Sequence, residues 1–263
     1  IASGMNIKLI SIKKSEFQHG KTRNYAISMT SGDYVAVLTQ DALPYNRYWL
    51  YELISPMFED DLIAGTYGKH IPYIETNVIE KCRIMMKFKG LDDVSPVSSF
   101  EKYSDFEKLP EGKRLFYLDY FSNSSALRKS VWEKIPYPEV PWNEDSAWIK
   151  LLYMHGYKKK YCSSSIIFHS HNFGLSDLYK RWYSSVKNTL YSGITTYPWY
   201  RNNRKWAFQH LFKAYTLLKR TDYFLVKKIV LLIIEFIRNI VIYRAAINAI
   251  RDYDRETGNK EGC

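Results

Sequence analysis

Tyr34-Val35-Ala36-Val37-Leu38-Thr39-Gln40-Asp41-Ala42-Leu43-Pro44 is the stretch on which the fold turns. Its first residues are an almost wholly apolar run of strand length. A continuous apolar strand is the pattern of a parallel sheet covered on both faces. The run stops at Gln40-Asp41, and Pro44 leads into a helix predicted from Tyr48 to Phe58. Leu62 to Tyr67 is a second short apolar strand, closed by Gly68. Strand, polar turn, helix and strand in that order predict a doubly wound α/β sheet. Ligands of such sheets sit beyond the carboxyl ends of the strands, which places Asp41 where a site belongs.

Outward from this unit the pattern continues. Ile7 to Ile12 is a β-rich run, and Thr22 to Met29 is a predicted helix ended by Ser31-Gly32-Asp33. Residues 74–114 carry mixed charges with Pro96 and Pro110, and are predicted to be a variable insertion with some helix. Order returns at Leu115 to Leu127. Asp145 to His155 is a predicted helix with Gly156 as its stop. Lys158 to Phe168 is a predicted strand leading into His169-Ser170-His171, and Ser176 to Thr189 an amphipathic helix with Ser176 as cap. The tail from Trp206 to Tyr253 is helical, basic and apolar by turns. Glu235, Arg238 and Asn239 interrupt its richest part, so no uncharged span reaches the roughly 18 residues of a transmembrane helix. An interfacial or packed amphipathic helix is expected instead. The division is a main α/β domain over 1–200 and a helical, basic region over 201–263.

Composition sets outer bounds. A hydrophobic fraction of 46% with 25% charged residues belongs to a globular chain, not a disordered one. The formal net charge of +11 calls for an anionic partner: nucleic acid, an anionic membrane surface or a phosphorylated substrate. Nucleic acid is disfavoured, because no reader motif is present and the basic residues spread along the chain instead of forming one patch. Three scattered cysteines, at 82, 162 and 263, argue against a disulfide framework or a zinc site and fit a reducing, cytosolic compartment.

Four clusters carry chemistry. Glu16-Phe17-Gln18-His19-Gly20-Lys21-Thr22-Arg23-Asn24 puts a glycine and basic side chains at a helix start, which suits a diphosphate; a capped surface helix is the plainer alternative. Leu38-Thr39-Gln40-Asp41 ends a strand in a carboxylate able to hold Mg²⁺ or Mn²⁺, although a lone Asp there is usually a turn former. Trp142-Asn143-Glu144-Asp145 offers a general base at a helix start, where acidic pairs commonly serve only the helix dipole. Phe168-His169-Ser170-His171 places two imidazoles on one side of a strand end, with Lys180-Arg181-Trp182 downstream.

The spacing of these clusters resembles the GT-A-fold glycosyltransferases of family 2, and within them the bacterial rhamnosyltransferase branch. Phe17-Gln18-His19-Gly20-Lys21-Thr22-Arg23-Asn24 is similar to that branch's Phe-x-His-Gly-x-x-Arg-Asn. Thr39-Gln40-Asp41-Ala42 resembles its form of the DxD motif, with Pro44 and Trp49-Leu50 also in register and Thr39 in the first carboxylate position. His169-Ser170-His171 matches in full. The resemblance covers about residues 7–195 and implies an inverting transfer of a sugar, L-rhamnose from dTDP-rhamnose, to a glycan or lipid-linked glycan at the inner face of the cell membrane. It implies Asp145 as the base, with Glu144 and Trp142 toward the acceptor or in support. Asp41 with His169 and His171 would hold a divalent cation, Mg²⁺ or Mn²⁺. His19, Gly20, Arg23, Asn24, Gln40, Asp41 and Arg181 would bind the nucleotide-sugar. Leu178 replaces the Gln of the Gln-x-x-Arg-Trp of processive relatives, which favours single transfers. Family members begin with a strand, a loop and a second strand ending in Val-Asp-x-Gly-Ser-x-Asp. Ile1 to Asn6 is similar to a degraded form of that end, with Ala2 in place of Asp, so the domain is expected to be N-terminally incomplete. A catalytically inactive, membrane-associated GT-A scaffold is the alternative, motivated by that start and by Thr39. The oligomeric state is open.

Overall fold

The computed structural model describes residues 7–140, 142–195, 212, 214–216, 218–219 and 223–258. Expectations that fall on Ile1 to Asn6, on Trp206 and on Cys263 lie outside these residues. In chain order the elements are α1 (His19–Ser28), β1 (Tyr34–Leu38), β2 (Leu43–Pro44), α2 (Trp49–Ile54), α3 (Pro56–Glu59), β3 (Ile63–Ile71), α4 (Val78–Asp92), β4 (Val97–Ser98), α5 (Tyr103–Glu107), α6 (Glu111–Leu118), β5 (Ser124–Arg128), α7 (Lys129–Trp132), α8 (Glu144–Met154), β6 (Lys158–Phe168), α9 (Leu175–Tyr191) and α10 (Leu225–Thr257).

One mixed sheet organises them, in the order β1-β5-β3-β6-β2, with β4 added to β6. β3 and β6 are parallel, while β5 lies antiparallel to both β1 and β3, and β2 and β4 antiparallel to β6. β1, β3 and β6 therefore run the same way, and their carboxyl ends share one edge of the sheet. The α/β class expected from the sequence holds, as do helices on the strands' flanks and a helical C-terminal part.

The main core lies between the sheet and α8. Trp148 is fully buried, its ring 4.9 Å from Tyr137 and 5.8 Å from Tyr120, and its Nε1 donates to the Ile135 carbonyl at 2.7 Å. Gly65 in β3 makes room for it, since a Cβ there would lie 2.9 Å from the Trp148 ring. A smaller core joins Leu178, Val186 and Leu190 of α9 to Ile242, Ala246, Ala249 and Ile250 of α10. The alanines let the two helices approach closely along their length.

Some expectations are corrected. Ile7 to Ile12 forms no strand; Ile7, Leu9 and Ile12 are exposed, and no described strand lies alongside to accept their backbone. The helix predicted from Tyr48 to Phe58 is two, broken at Ser55-Pro56 because proline cannot donate to the preceding turn. β1 pairs on one side only among the described residues, and its Ala36 and Leu38 are exposed. Ser176 does not cap α9, whose cap position is Gly174. Gly156 does end α8, at φ +75°.

Candidate active site

Two groups of side chains meet at the shared strand edge. The first begins where β1 ends. Thr39 N donates to the Asn123 carbonyl, extending the β1–β5 ladder by one bond, and Ala42 N returns to the Thr39 carbonyl at 3.1 Å. This tight turn presents Asp41. On the other side, His169 N bonds the Ile71 carbonyl and closes the β3–β6 ladder. Alternation along the strand then sends His169 and His171 one way and Ser170 the other. Ser170 anchors the opposite side, with its Oγ 2.5 Å from Thr76 Oγ1 and accepting from Tyr73 N at 3.1 Å.

The result is a convergent trio. Nε2 of His169 and Nε2 of His171 each lie 3.5 Å from Asp41 Oδ2, and one ligand atom from each residue falls within 4.8 Å of the others. Asp41 Oδ1 is buried without a hydrogen-bond partner. Burial works against the Asp41 carboxylate, but a hydrogen bond from Thr39 and the neighbouring His169 outweigh it, and its pKa is lowered. The His169 pKa is also lowered, chiefly by burial and further by His171 and Arg181, against the pull of Asp41. It therefore offers a neutral imidazole at neutral pH. Arg181 lies over the Phe173 ring at 4.9 Å, and Phe173 stacks on His171.

The second group is the start of α8. Asn143 adopts a left-handed φ of 56°, and its Nδ2 donates to Thr189 Oγ1 at 2.7 Å. Asp145 is half-buried: Oδ2 accepts from Ser122 Oγ at 3.2 Å and Oδ1 from Ser146 N at 2.8 Å. Burial raises its pKa, opposed mainly by the charge of Arg23. Adjacent residues tie the groups together. Ser122 holds Asp145, while Asn123 Nδ2 lies 3.1 Å from His169 Nε2 and donates to Thr39 Oγ1 at 3.4 Å.

The remaining residues singled out in the sequence divide. Gln40 is exposed beside Asp41. His19 packs edge-on against Trp142, with ring centroids 5.5 Å apart. Arg23 is ion-paired with buried Glu144. Asn24 is fully engaged with the segment before α8: Nδ2 donates to the Tyr137 carbonyl, and Oδ1 accepts from Tyr137 N and the Trp132 indole Nε1. Sequence reasoning missed His70, buried near the end of β3 with its ring 5.1 Å from His169 and its pKa pushed by burial down to about 3. Its place at a strand end was the available signal. Tyr73, whose hydroxyl reaches the Asp41 carbonyl at 3.3 Å, gave none.

Over 184 residues, 68% of this chain, the sequence is 30% identical to the O-antigen chain rhamnosyltransferase RfbN of Salmonella typhimurium, covering 55% of that protein. Over 189 residues, 70% of the chain, it is 31% identical to the O-antigen chain rhamnosyltransferase WbaN of Salmonella anatum, covering 56% of it. The chain thus spans about half the length of these relatives. Among solved structures, a mannosyltransferase from Pyrobaculum calidifontis in complex with GDP-Man and Mn²⁺ aligns over 93% of this chain and 56% of its own, at 11% identity and a TM-score of 0.41. The glycosyl transferase family 2 model matches residues 1–132, the half that contains α1, the Asp41 turn and the Ser122-Asn123 joint. With a strand-end carboxylate facing two histidines across that joint, the chain belongs to glycosyl transferase family 2.

Proposed function

We propose that this chain is the catalytic part of an inverting glycosyltransferase that moves a sugar, L-rhamnose from dTDP-rhamnose, to a glycan or lipid-linked glycan in cell-surface polysaccharide assembly. The observation that carries the reading is the convergence of Asp41, His169 and His171 at the strand edge, joined through Ser122-Asn123 to half-buried Asp145. The trio fits a divalent cation: three donor atoms converge, and Asp41 Oδ1 has no other partner. One carboxylate with two imidazoles favours Mn²⁺ over Mg²⁺, which prefers oxygen ligands and its own water. When bound, the cation neutralises charge on the departing diphosphate. Arg181 adds positive charge on the same side, and Gln40 is free to face the nucleotide. Asp145 takes the proton of the acceptor hydroxyl, and Trp142 with His19 walls the acceptor side. Residues 1–200 act as the catalytic domain and 201–263 as a helical, basic region.

Calorimetry with dTDP-rhamnose, UDP-glucose and GDP-mannose in Mn²⁺ tests the donor, and NMR of the product tests the stereochemistry. Binding of dTDP-rhamnose alone and a product of opposite anomeric configuration are expected. Donor binding without product, given a lipid-linked acceptor, would point to the inactive scaffold; preference for another donor would overturn the sugar assignment.

α10 supports a membrane-surface role. Among the described residues no helix is long and apolar enough to cross a membrane. Leu225, Val226, Ile229, Val230, Ile233, Ile234 and Ile237 are nevertheless exposed, next to Lys227 and Lys228. Each basic residue near an anionic surface contributes about 1 kcal/mol. The chain is expected to sediment with anionic vesicles, and Lys227→Glu/Lys228→Glu to weaken that sedimentation severalfold. Equal sedimentation with neutral vesicles would remove the electrostatic part of this reading.

A further inference from the structure

Several polar side chains in the first turns of α1 are turned inward, Lys21 excepted. They grip the segment that delivers Asp145. Gln18 Nε2 donates to the Val140 carbonyl at 2.8 Å, and Asn24 makes three hydrogen bonds to Trp132 and Tyr137. Gly20 lies so close to the Pro138 carbonyl that a Cβ would sit 2.3 Å from its oxygen. Arg23 completes the set by pairing with Glu144, which is 4% exposed and adjacent to Asp145. Gln18 Nε2, the Arg23 guanidinium and the Asn24 amide of the Phe-x-His-Gly-x-x-Arg-Asn run thus all reach residues 132–144.

We propose that Arg23 is a positioning residue of the reaction: through its buried ion pair with Glu144 it fixes the first turn of α8, and with it the carboxylate of Asp145. The inference rests on the reading of Asp145 as the base. An opposite charge beside a buried carboxylate also favours its ionised form, and only the ionised form can take a proton. The groups acting on Asp145 are Arg23 and His19 from α1, the Ser146 N–H of its own helix, Lys159 from β6, the phenols of Tyr120 and Tyr137, and the Ser122 hydroxyl and backbone; Glu144, next to it in sequence, is turned to Arg23. Of the cations, Arg23 opposes the effect of burial most. Removing its charge raises the Asp145 pKa, so activity should appear only at higher pH.

The test uses Arg23→Gln and Arg23→Lys in the full chain, with donor affinity by calorimetry and kcat/KM followed over pH. For Arg23→Gln the acid limb should move up by about 1–3 pH units, the usual effect of one adjacent opposite charge. Turnover should fall about 100-fold, as a 1 Å displacement of a reacting group can cost. Donor affinity should stay within about twofold of the parent, given that Arg23 is turned to Glu144 and not to the ligand. Arg23→Lys should restore the acid limb while turnover stays reduced, and it carries the test if the Gln variant does not fold. A loss of donor affinity of about tenfold or more with an unmoved acid limb would overturn the proposal and make Arg23 a diphosphate contact. Normal turnover in Asp145→Asn would instead bring down the reading of the base, whatever the Arg23 variants do.

Discussion

Asp145→Asn is expected to remove about 10²- to 10⁴-fold of the transfer rate, roughly 3–5 kcal/mol of transition-state stabilisation, while leaving sugar-nucleotide affinity near the parent value. The expectation rests on where the carboxylate sits. It is half-buried, it accepts from Ser122 and from its own helix through Ser146 N, and partial desolvation raises its pKa. A carboxylate whose proton affinity is raised is a better acceptor for a hydroxyl proton than an exposed one. The amide keeps the shape and the Ser122 hydrogen bond but cannot take the proton. Glu144 is a neighbour on the same helix, yet successive helical side chains diverge by about 100°, and this one is turned to Arg23. Glu144→Gln should therefore lose less rate, through the lost ion pair with Arg23 and not through the proton transfer itself. Calorimetry and single-turnover kinetics separate the outcomes: lost donor binding in Asp145→Asn would move the residue to the nucleotide site.

The second large effect belongs to the trio. Asp41→Ala is expected to lower transfer by about 10²- to 10³-fold, the scale of removing one preorganised electrostatic interaction from a transition state. EDTA should lower activity of the parent, and Mn²⁺ should restore it. Binding can be read without turnover, from the spin signal of Mn²⁺ titrated into the chain. His169→Ala and His171→Ala should each weaken that binding, because each Nε2 lies as close to Asp41 as the other. Full activity in EDTA combined with a dead Asp41→Ala would make Asp41 a direct nucleotide contact.

How much the sequence disclosed depends on which signals are local. β1 was legible from a strand-length apolar run and α8 from its glycine stop, each within a few residues, while β6 showed apolar character only at its Ile166-Ile167-Phe168 end. Asp41, His169 and His171 were legible as strand-end residues, since a sheet that gathers the carboxyl ends of its strands also gathers the residues just beyond those ends. Their mutual distance was not, because it depends on β5 inserting between β1 and β3. The interval 74–114 hid α4, a 15-residue helix, because its apolar and charged positions are both spread around the helix and mark no single face. The partners of Arg23 and Asn24 were invisible for the same reason as the trio's spacing: they lie more than 100 positions away in sequence for Asn24, and pairing at that range leaves no periodic trace. The resemblance supplied a diphosphate role for Arg23 that its geometry turns toward α8.

The sheet order also has a cost in time. β1 has β5 as its only described neighbour, and Asp41 meets its histidines only after β6 is made. At roughly 5–20 residues per second, the roughly 130 residues from Asp41 to His171 leave the ribosome over about 6–25 s. Through most of that interval the Tyr34–Leu38 run is a nascent strand with both hydrogen-bonding edges open, the state in which chains pair with one another. Long-range pairings of this kind also close slowly once the chain is complete. Aggregates formed when many chains are made at once are expected to be seeded at residues 34–38, and lower expression, which reduces encounters between nascent chains, should diminish them.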